Sequence, residues 1–218
     1  MYKVFLAGGI ASGKSTVGRE LERLGAWRID LDQVSRSVLA PYSSCLDEVA
    51  AAFGSDLVDS QTGALDRGLL AKRAFCDEES TRKLEAIELP YIRDALITAL
   101  DEGCCESAPE VCLVEVPLLD RMQSMMDLAD EVLLVTCPME LRRKRALERG
   151  MDLDDFERRV AKQPTDEWLR AHADTVIVND GSRDELASQV RAWWQSRASE
   201  GWPSGKFDKS SAKSTESR

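Results

Sequence analysis

Gly8, Gly9, Gly13, Lys14 and Ser15 follow the apolar run Val4-Phe5-Leu6 in the order Gly-x-x-x-x-Gly-Lys-Ser. Glycines let a loop curl until successive backbone N–H groups converge on phosphate oxygens, and a helix beginning behind the loop adds its positive end. In such a cradle Lys14 reaches the β- and γ-phosphates of a nucleotide, while Ser15 offers its hydroxyl to Mg²⁺. Val17, Leu21 and Leu24 recur at helical spacing directly afterwards, so strand, loop and helix come in the required order. Gly9, Ile10, Ala11, Ser12, Gly13, Lys14, Ser15 and Thr16 are therefore expected to bind the phosphates of ATP.

Phosphoryl transfer asks a protein mainly to position an acceptor and to neutralise charge on the equatorial oxygens. An acceptor hydroxyl needs a carboxylate, and Ile29-Asp30-Leu31-Asp32 supplies two at the end of the second apolar run. One of them suits the N-cap of a following helix. Asp32 lies further beyond the strand end and is the favoured base. Cationic help is offered by Arg142, Arg143, Lys144, Arg145 and Arg149, of which Arg142, Arg145 and Arg149 share one side at helical spacing. A solvated helix face would carry the same cluster. Val111-Cys112-Leu113-Val114-Glu115 reads as a strand ending in a carboxylate, and Glu115 either holds Mg²⁺, directly or through water, or bonds the backbone of a neighbouring loop.

The elements that must position these groups are visible as apolar runs at 2–7, 27–30, 111–116, 131–136 and 175–178 with helical patterns between them. Such alternation predicts an α/β chain with a five-stranded parallel sheet covered on both faces. Ligands then lie beyond the carboxyl ends of the strands, where the groups named above fall. The interval 33–110 is longer than one crossover needs and reads as a helical insertion for the second substrate, with breaks at Pro41, Gly54, Asp59 to Gly63 and Pro90. The interval 138–173 has the look of a lid. Residues 1–32, 111–137 and 174–198 remain as the nucleotide-binding core, in which Trp193 and Trp194 close the last helix and one of the pair is expected to cap the core. The Ser-, Lys- and Gly-rich stretch 199–218 is expected to be a disordered tail.

Composition excludes several classes. A net charge of -10 over 218 residues argues against a general nucleic-acid or anionic-membrane surface, though a small polyanion could bind locally. No apolar stretch approaches a membrane span and no signal-peptide pattern opens the chain, so a cytoplasmic location is expected. Six cysteines without Cys-x-x-Cys spacing and a single histidine leave no zinc pattern and fit a reduced compartment. Cys112 and Cys137 read as core residues, His172 as structural, and Cys104-Cys105 as surface thiols in a loop. Neither Asp-x-x-Gly nor Asn-Lys-x-Asp occurs, which disfavours a switch GTPase and leaves a metabolite or nucleotide kinase, or an ATP-binding module without activity.

The ordered set of Gly8 to Thr16, Ile29-Asp30-Leu31-Asp32, Leu65-Asp66-Arg67 with Phe75, Pro90-Tyr91-Ile92-Arg93, Pro117-Leu118-Leu119, Arg145 with Arg149, Gln163, and Ala173-Asp174 leading to Asn179-Asp180-Gly181 resembles the dephospho-coenzyme A kinase family. The resemblance spans about residues 2 to 195. It implies a three-layer P-loop kinase fold with a helical coenzyme A region and a lid, and ATP-dependent phosphorylation of the ribose 3′-hydroxyl of dephospho-coenzyme A. It also implies Asp32 as base, Arg67, Pro117 and Leu118 on the substrate side, Arg145 and Arg149 over the phosphates, and Asn179, Asp180 and Gly181 against adenine. A small-molecule substrate and a monomer or weak homo-oligomer are expected. Three departures stand out: Leu89-Pro90 for the family's His-Pro, Asp120-Arg121 after Pro117-Leu118-Leu119, and Arg149-Gly150-Met151 for Arg-Asp-Gly.

Overall fold

The computed structural model describes residues 1–103 and 109–202. Cys104, Cys105 and residues 203–218 of the expected tail lie outside the described residues. Five strands form where the apolar runs stand: β1 (Tyr2–Ala7), β2 (Trp27–Asp30), β3 (Val111–Glu115), β4 (Glu131–Thr136) and β5 (Thr175–Val178). They make one sheet in the order β2-β3-β1-β4-β5. Parallel pairing sets Val4 against Leu113 on one side and Glu131 on the other, and Leu133 against Thr175. Every residue of β3 and β4 is buried, as near-continuous apolar runs in a covered parallel sheet must be. The strand order turns about β1, so the crevice beyond its carboxyl end is where such a sheet places a ligand.

The described residues divide into two units, one within Met1–Ile29 and Glu106–Arg218 and the other within Asp30–Cys105. In the first, helices α1 (Lys14–Arg23) and α9 (Arg183–Ser199) pack on each other and over the sheet. Val17, Leu21, Leu186, Val190 and Trp193 join Val4, Leu6, Leu113, Leu133 and Val135 in one core. Trp202 packs on Trp194 at 4.8 Å and on Tyr2 at 5.8 Å between ring centroids, so packed structure continues past Ser199, where the tail was expected to begin. Below the strand starts, fully buried Glu131 accepts hydrogen bonds from Tyr2 Oη (2.7 Å), Trp193 Nε1 (2.9 Å) and Arg197 Nε (2.7 Å). Burial alone would raise its carboxyl, but these bonds outweigh it and hold Glu131 below the usual range. The amino end of the sheet is thereby locked, and the carboxyl end is left to the loops that carry the candidate chemistry. Among the described residues no helix is long and apolar enough to cross a membrane.

The second unit is helical: α2 (Leu31–Ser37), α3 (Ser44–Phe53), a 3₁₀ turn at Ser55–Leu57, α4 (Arg67–Ala74) and α5 (Glu78–Glu102). Its starts are set by side-chain caps. Ser43 accepts from Leu46 N–H (3.2 Å), Asp66 from Leu69 N–H (2.9 Å) and Asp77 from Ser80 N–H (2.7 Å). Leu39, Cys45, Val49, Leu57, Leu70 and Leu84 form a core of its own.

Pro90 does not end a helix, contrary to expectation; α5 runs through it for 25 residues. A proline inside a helix removes one backbone bond at a cost of about 3 kcal/mol. Leu84, Ile92, Leu96 and Leu100 carry one buried stripe across the proline, and α2, α3 and α4 all pack on this helix. The packing is worth more than the missing bond.

Glu88 on α5 illustrates burial acting in the other direction. Burial raises its carboxyl to about 7, with Arg67 opposing and Glu85 adding to the rise. The fold therefore prefers the neutral acid. That contribution is complete below the ordinary value near 4.5 and is lost as pH rises through about 7. Glu88→Gln is expected to raise Tm at pH 8, by up to about 3 kcal/mol of stability, and to leave it unchanged at pH 4. Thermal melts at the two pH values check this, and an equal effect at both would mean that Glu88 titration is not linked to folding.

Candidate active site

The loop between β1 and α1 turns through left-handed backbone at Ala11 (φ 58°) and Gly13 (φ 106°). No side chain caps α1 at Gly13, and its first turn holds no acidic residue. The positive end of the helix is thus left for an anion. Two of the glycines are also required by close packing. A Cβ at Gly9 would lie 2.2 Å from Arg142 Nη2, and one at Gly13 would lie 2.1 Å from Asn179 Nδ2.

Those neighbours support the loop. Asn179, 6% exposed, donates through Nδ2 to the Ser12 carbonyl at 2.7 Å. Arg142, on α6 (Met139–Glu148), donates through Nε to the Ile10 carbonyl at 2.9 Å and through Nη2 to Gln163 Oε1 at 3.2 Å. Its Nη1 stands 3.2 Å from Asp166. Gln163 Oε1 also accepts the Ile10 N–H at 2.8 Å.

At the start of α1, Lys14 Nζ donates to the Val116 carbonyl at 2.8 Å, just before Pro117 and Leu118. The Ser15 hydroxyl donates to Glu115 Oε1 at 3.3 Å. The other oxygen of Glu115 is taken by Arg28, through Nε at 3.0 Å and through Nη2, and Arg28 Nη1 reaches Glu22 at 3.3 Å. Burial works against the charge on Arg28, but Glu115 more than offsets it and the guanidinium titrates above its ordinary value. Glu115 therefore contacts a side chain of the loop's helix rather than a loop backbone.

The three arginines at helical spacing, Arg142 and Arg145 on α6 and Arg149 at its C-cap, have different surroundings. Arg142 is buried against Ile10. Arg145 Nη1 donates to the Asn179 carbonyl at 3.0 Å and lies 3.2 Å from Cys137 Sγ. Arg149 lines a cavity of about 350 Å³ together with Ile10, Ala11, Gly150, Met151 and Asp155. Asp180 and Gly181 border a separate cleft of about 470 Å³ with Glu185, Ser188 and Gln189. Asn179, which the resemblance places against adenine, has its amide engaged under the loop.

In the helical unit, Asp30 Oδ1 accepts the Asp32 N–H at 2.9 Å and so caps α2, which leaves the Asp32 carboxylate exposed in the first helical turn. Arg67 opens α4 and donates to the Arg36 carbonyl at 3.2 Å, tying that helix to the end of α2. His172 takes no part in any such group: it stacks on Trp168 at 3.8 Å, with Nδ1 2.8 Å from the Trp168 carbonyl.

A family model described as dephospho-CoA kinase matches residues 2–185. The chain belongs to the dephospho-CoA kinase family. A dephospho-CoA kinase of Corynebacterium diphtheriae is 42% identical over 191 residues, covering 87% of this chain and 94% of the relative. One of Geobacter sulfurreducens is 37% identical, covering 88% and 96%. Among solved structures, a dephospho-CoA kinase from Campylobacter jejuni superposes with a TM-score of 0.68 at 25% identity, covering 91% of this chain and 98% of that one. A shikimate kinase from Acinetobacter baumannii at 19% identity and a TM-score of 0.50 shares the fold.

Sequence reasoning missed the contacts of Arg28 and Asp166 and gave Arg142 and Gln163 no task under the loop. Arg28 sits in the middle of a four-residue strand with no motif around it. Gln163 had a signal, its place in the family's motif order, but nothing in the chain's spacing said that it reaches back to Ile10.

Proposed function

We propose that this chain transfers the γ-phosphoryl group of ATP to the ribose 3′-hydroxyl of dephospho-coenzyme A, giving coenzyme A and ADP, with Asp32 as the base that takes the hydroxyl proton. The observation that carries the reading is the uncapped start of α1 behind the Gly8 to Ser15 loop, with Lys14, Ser15 and Glu115 gathered there, in a chain that matches the family over residues 2–185. Family membership makes ATP the phosphoryl donor.

The remaining roles follow from chemistry and from the family resemblance. Gly9 to Thr16 cradle the phosphates, Lys14 draws charge from the β- and γ-oxygens, and Arg145 and Arg149 stand ready for the charge that spreads over the transferring group. The Ser15 hydroxyl and Glu115 Oε1 are hard oxygen donors 3.3 Å apart, a pair suited to Mg²⁺. A bound Mg²⁺ would supply positive charge against the phosphate oxygens. Asp32 is exposed and Asp30 already serves as the cap, so Asp32 keeps its oxygens for an acceptor. Arg67, Pro117 and Leu118 are assigned to the acceptor, Asp180 and Gly181 to adenine, residues 33–110 to coenzyme A binding and residues 138–173 to a lid, in a cytoplasmic enzyme.

A coupled ADP assay with a panel of hydroxyl acceptors tests the assignment. ADP is expected only with dephospho-coenzyme A. Equal turnover with adenosine, shikimate or nucleoside monophosphates would move the chain to another metabolite kinase, and ATP uptake without any turnover would make it a binding module.

A further inference from the structure

Arg142 is 3% exposed, while Arg143 and Lys144 beside it on α6 are exposed. A buried guanidinium is tolerated only where its N–H groups find partners, and each partner here has a place in one construction. Arg142 donates to the Ile10 carbonyl, and Gln163 accepts the Ile10 N–H, so both polar sides of the Ile10 residue are held. The two side chains also bond each other through Gln163 Oε1, and Asp166 neutralises Arg142 from the start of α8 (Asp166–Ala171). Gln163 follows Lys162, the C-cap of α7 (Leu153–Ala161), so the connection between α7 and α8 is fastened to the loop. The lack of a Cβ at Gly9 is what admits the guanidinium. One turn further along α6, Arg145 holds the carbonyl of Asn179, whose amide grips Ser12. Between the two gripped residues lies Ala11, a non-glycine in left-handed backbone.

We infer that Arg142 and Gln163 are positioning residues that clamp the Ile10 peptide and hold the phosphate loop ready for ATP; the inference rests on the reading of that loop as the ATP cradle. Neither side chain needs to touch the nucleotide. Left unclamped, the Ile10–Ala11 segment relaxes out of its strained turn, and binding must restore it, which weakens ATP uptake without changing the acceptor's contacts.

The test is calorimetric titration of ATP with Mg²⁺ into the full chain, with thermal melts and steady-state kinetics for both substrates. Gln163→Met keeps the size of the side chain and removes the acceptor. It is expected to raise the ATP Kd and KM about tenfold, the equivalent of one charge-assisted hydrogen bond, with a modest fall in Tm from the two donors left without their acceptor and the dephospho-coenzyme A KM unmoved. Gln163→Glu keeps an oxygen for both donors and is expected to recover ATP binding to within about threefold of the unaltered protein. Adding Arg142→Met to Gln163→Met should cost less than the sum of the two singles, because Arg142 donates to the same Gln163 oxygen that accepts the Ile10 N–H. Normal ATP affinity in Gln163→Met, or no recovery in Gln163→Glu, overturns the inference. A failure of the unaltered protein to take up ATP sinks the reading of the cradle instead.

Discussion

Asp32→Asn is expected to lower kcat by about 10²- to 10⁴-fold while ATP binding by calorimetry stays as in the unaltered protein. The asparagine keeps the shape and the exposed position in the first turn of α2, and Asp30 continues to cap that helix, so the fold has no reason to respond. What is lost is a group able to accept the proton as the acceptor oxygen attacks. A base acts chiefly in the transition state, so kcat and kcat/KM for dephospho-coenzyme A should fall together. Turnover within a few-fold of the unaltered protein would reassign the base, and Asp30→Ala is the informative companion. That variant weakens the cap, and its expected signature is a lower Tm, by roughly 1 kcal/mol of stability, with kcat largely kept.

The division of labour between those two acids shows what the sequence can deliver. Spacing alone offered one of them as the N-cap of a helix, because a strand end followed by a helix start needs a cap at a fixed place, and Asp30 takes that place. The strands were equally legible. In a parallel sheet covered on both faces the central strands are continuous apolar runs, and β3 and β4 are buried at every position. The phosphate loop is contiguous in sequence, so its residues carry their own spacing. What could not be read are contacts made by segments that only the sheet order brings together. Arg28 meets Glu115 across 87 residues, Arg142 meets Ile10 across 132, and Gln163 meets the same residue across 153. No periodicity or local motif announces such pairs. Glu131 is the same case at the other end of the sheet, an acid inside an apolar run whose four partners lie on β1, β5 and α9. Pro90 failed for a different reason, since a local rule lost to tertiary packing along α5.

Gly13→Ala is expected to weaken ATP binding about a hundredfold or more. Two costs act together. The backbone at Gly13 has φ 106°, where an alanine is disfavoured by roughly 1–2 kcal/mol. Its Cβ would also stand 2.1 Å from Asn179 Nδ2, so the amide must move off the Ser12 carbonyl, at about 1–3 kcal/mol for a buried donor left without its partner. A sum near 3 kcal/mol corresponds to about two decades in Kd if the loop must regain its present shape to bind. Gly25→Ala separates the two costs, because Gly25 has almost the same φ, 109°, with nothing within 4 Å of its Cβ and no place in the cradle. That variant should lose a little Tm and bind ATP normally. Adding Asn179→Ala to Gly13→Ala removes the collision and leaves the backbone cost, so part of the affinity lost by Gly13→Ala beyond that of Asn179→Ala alone should return. If Gly13→Ala binds ATP as tightly as Gly25→Ala does, the cradle does not depend on the close approach of Asn179, and the support assigned to that side chain is wrong.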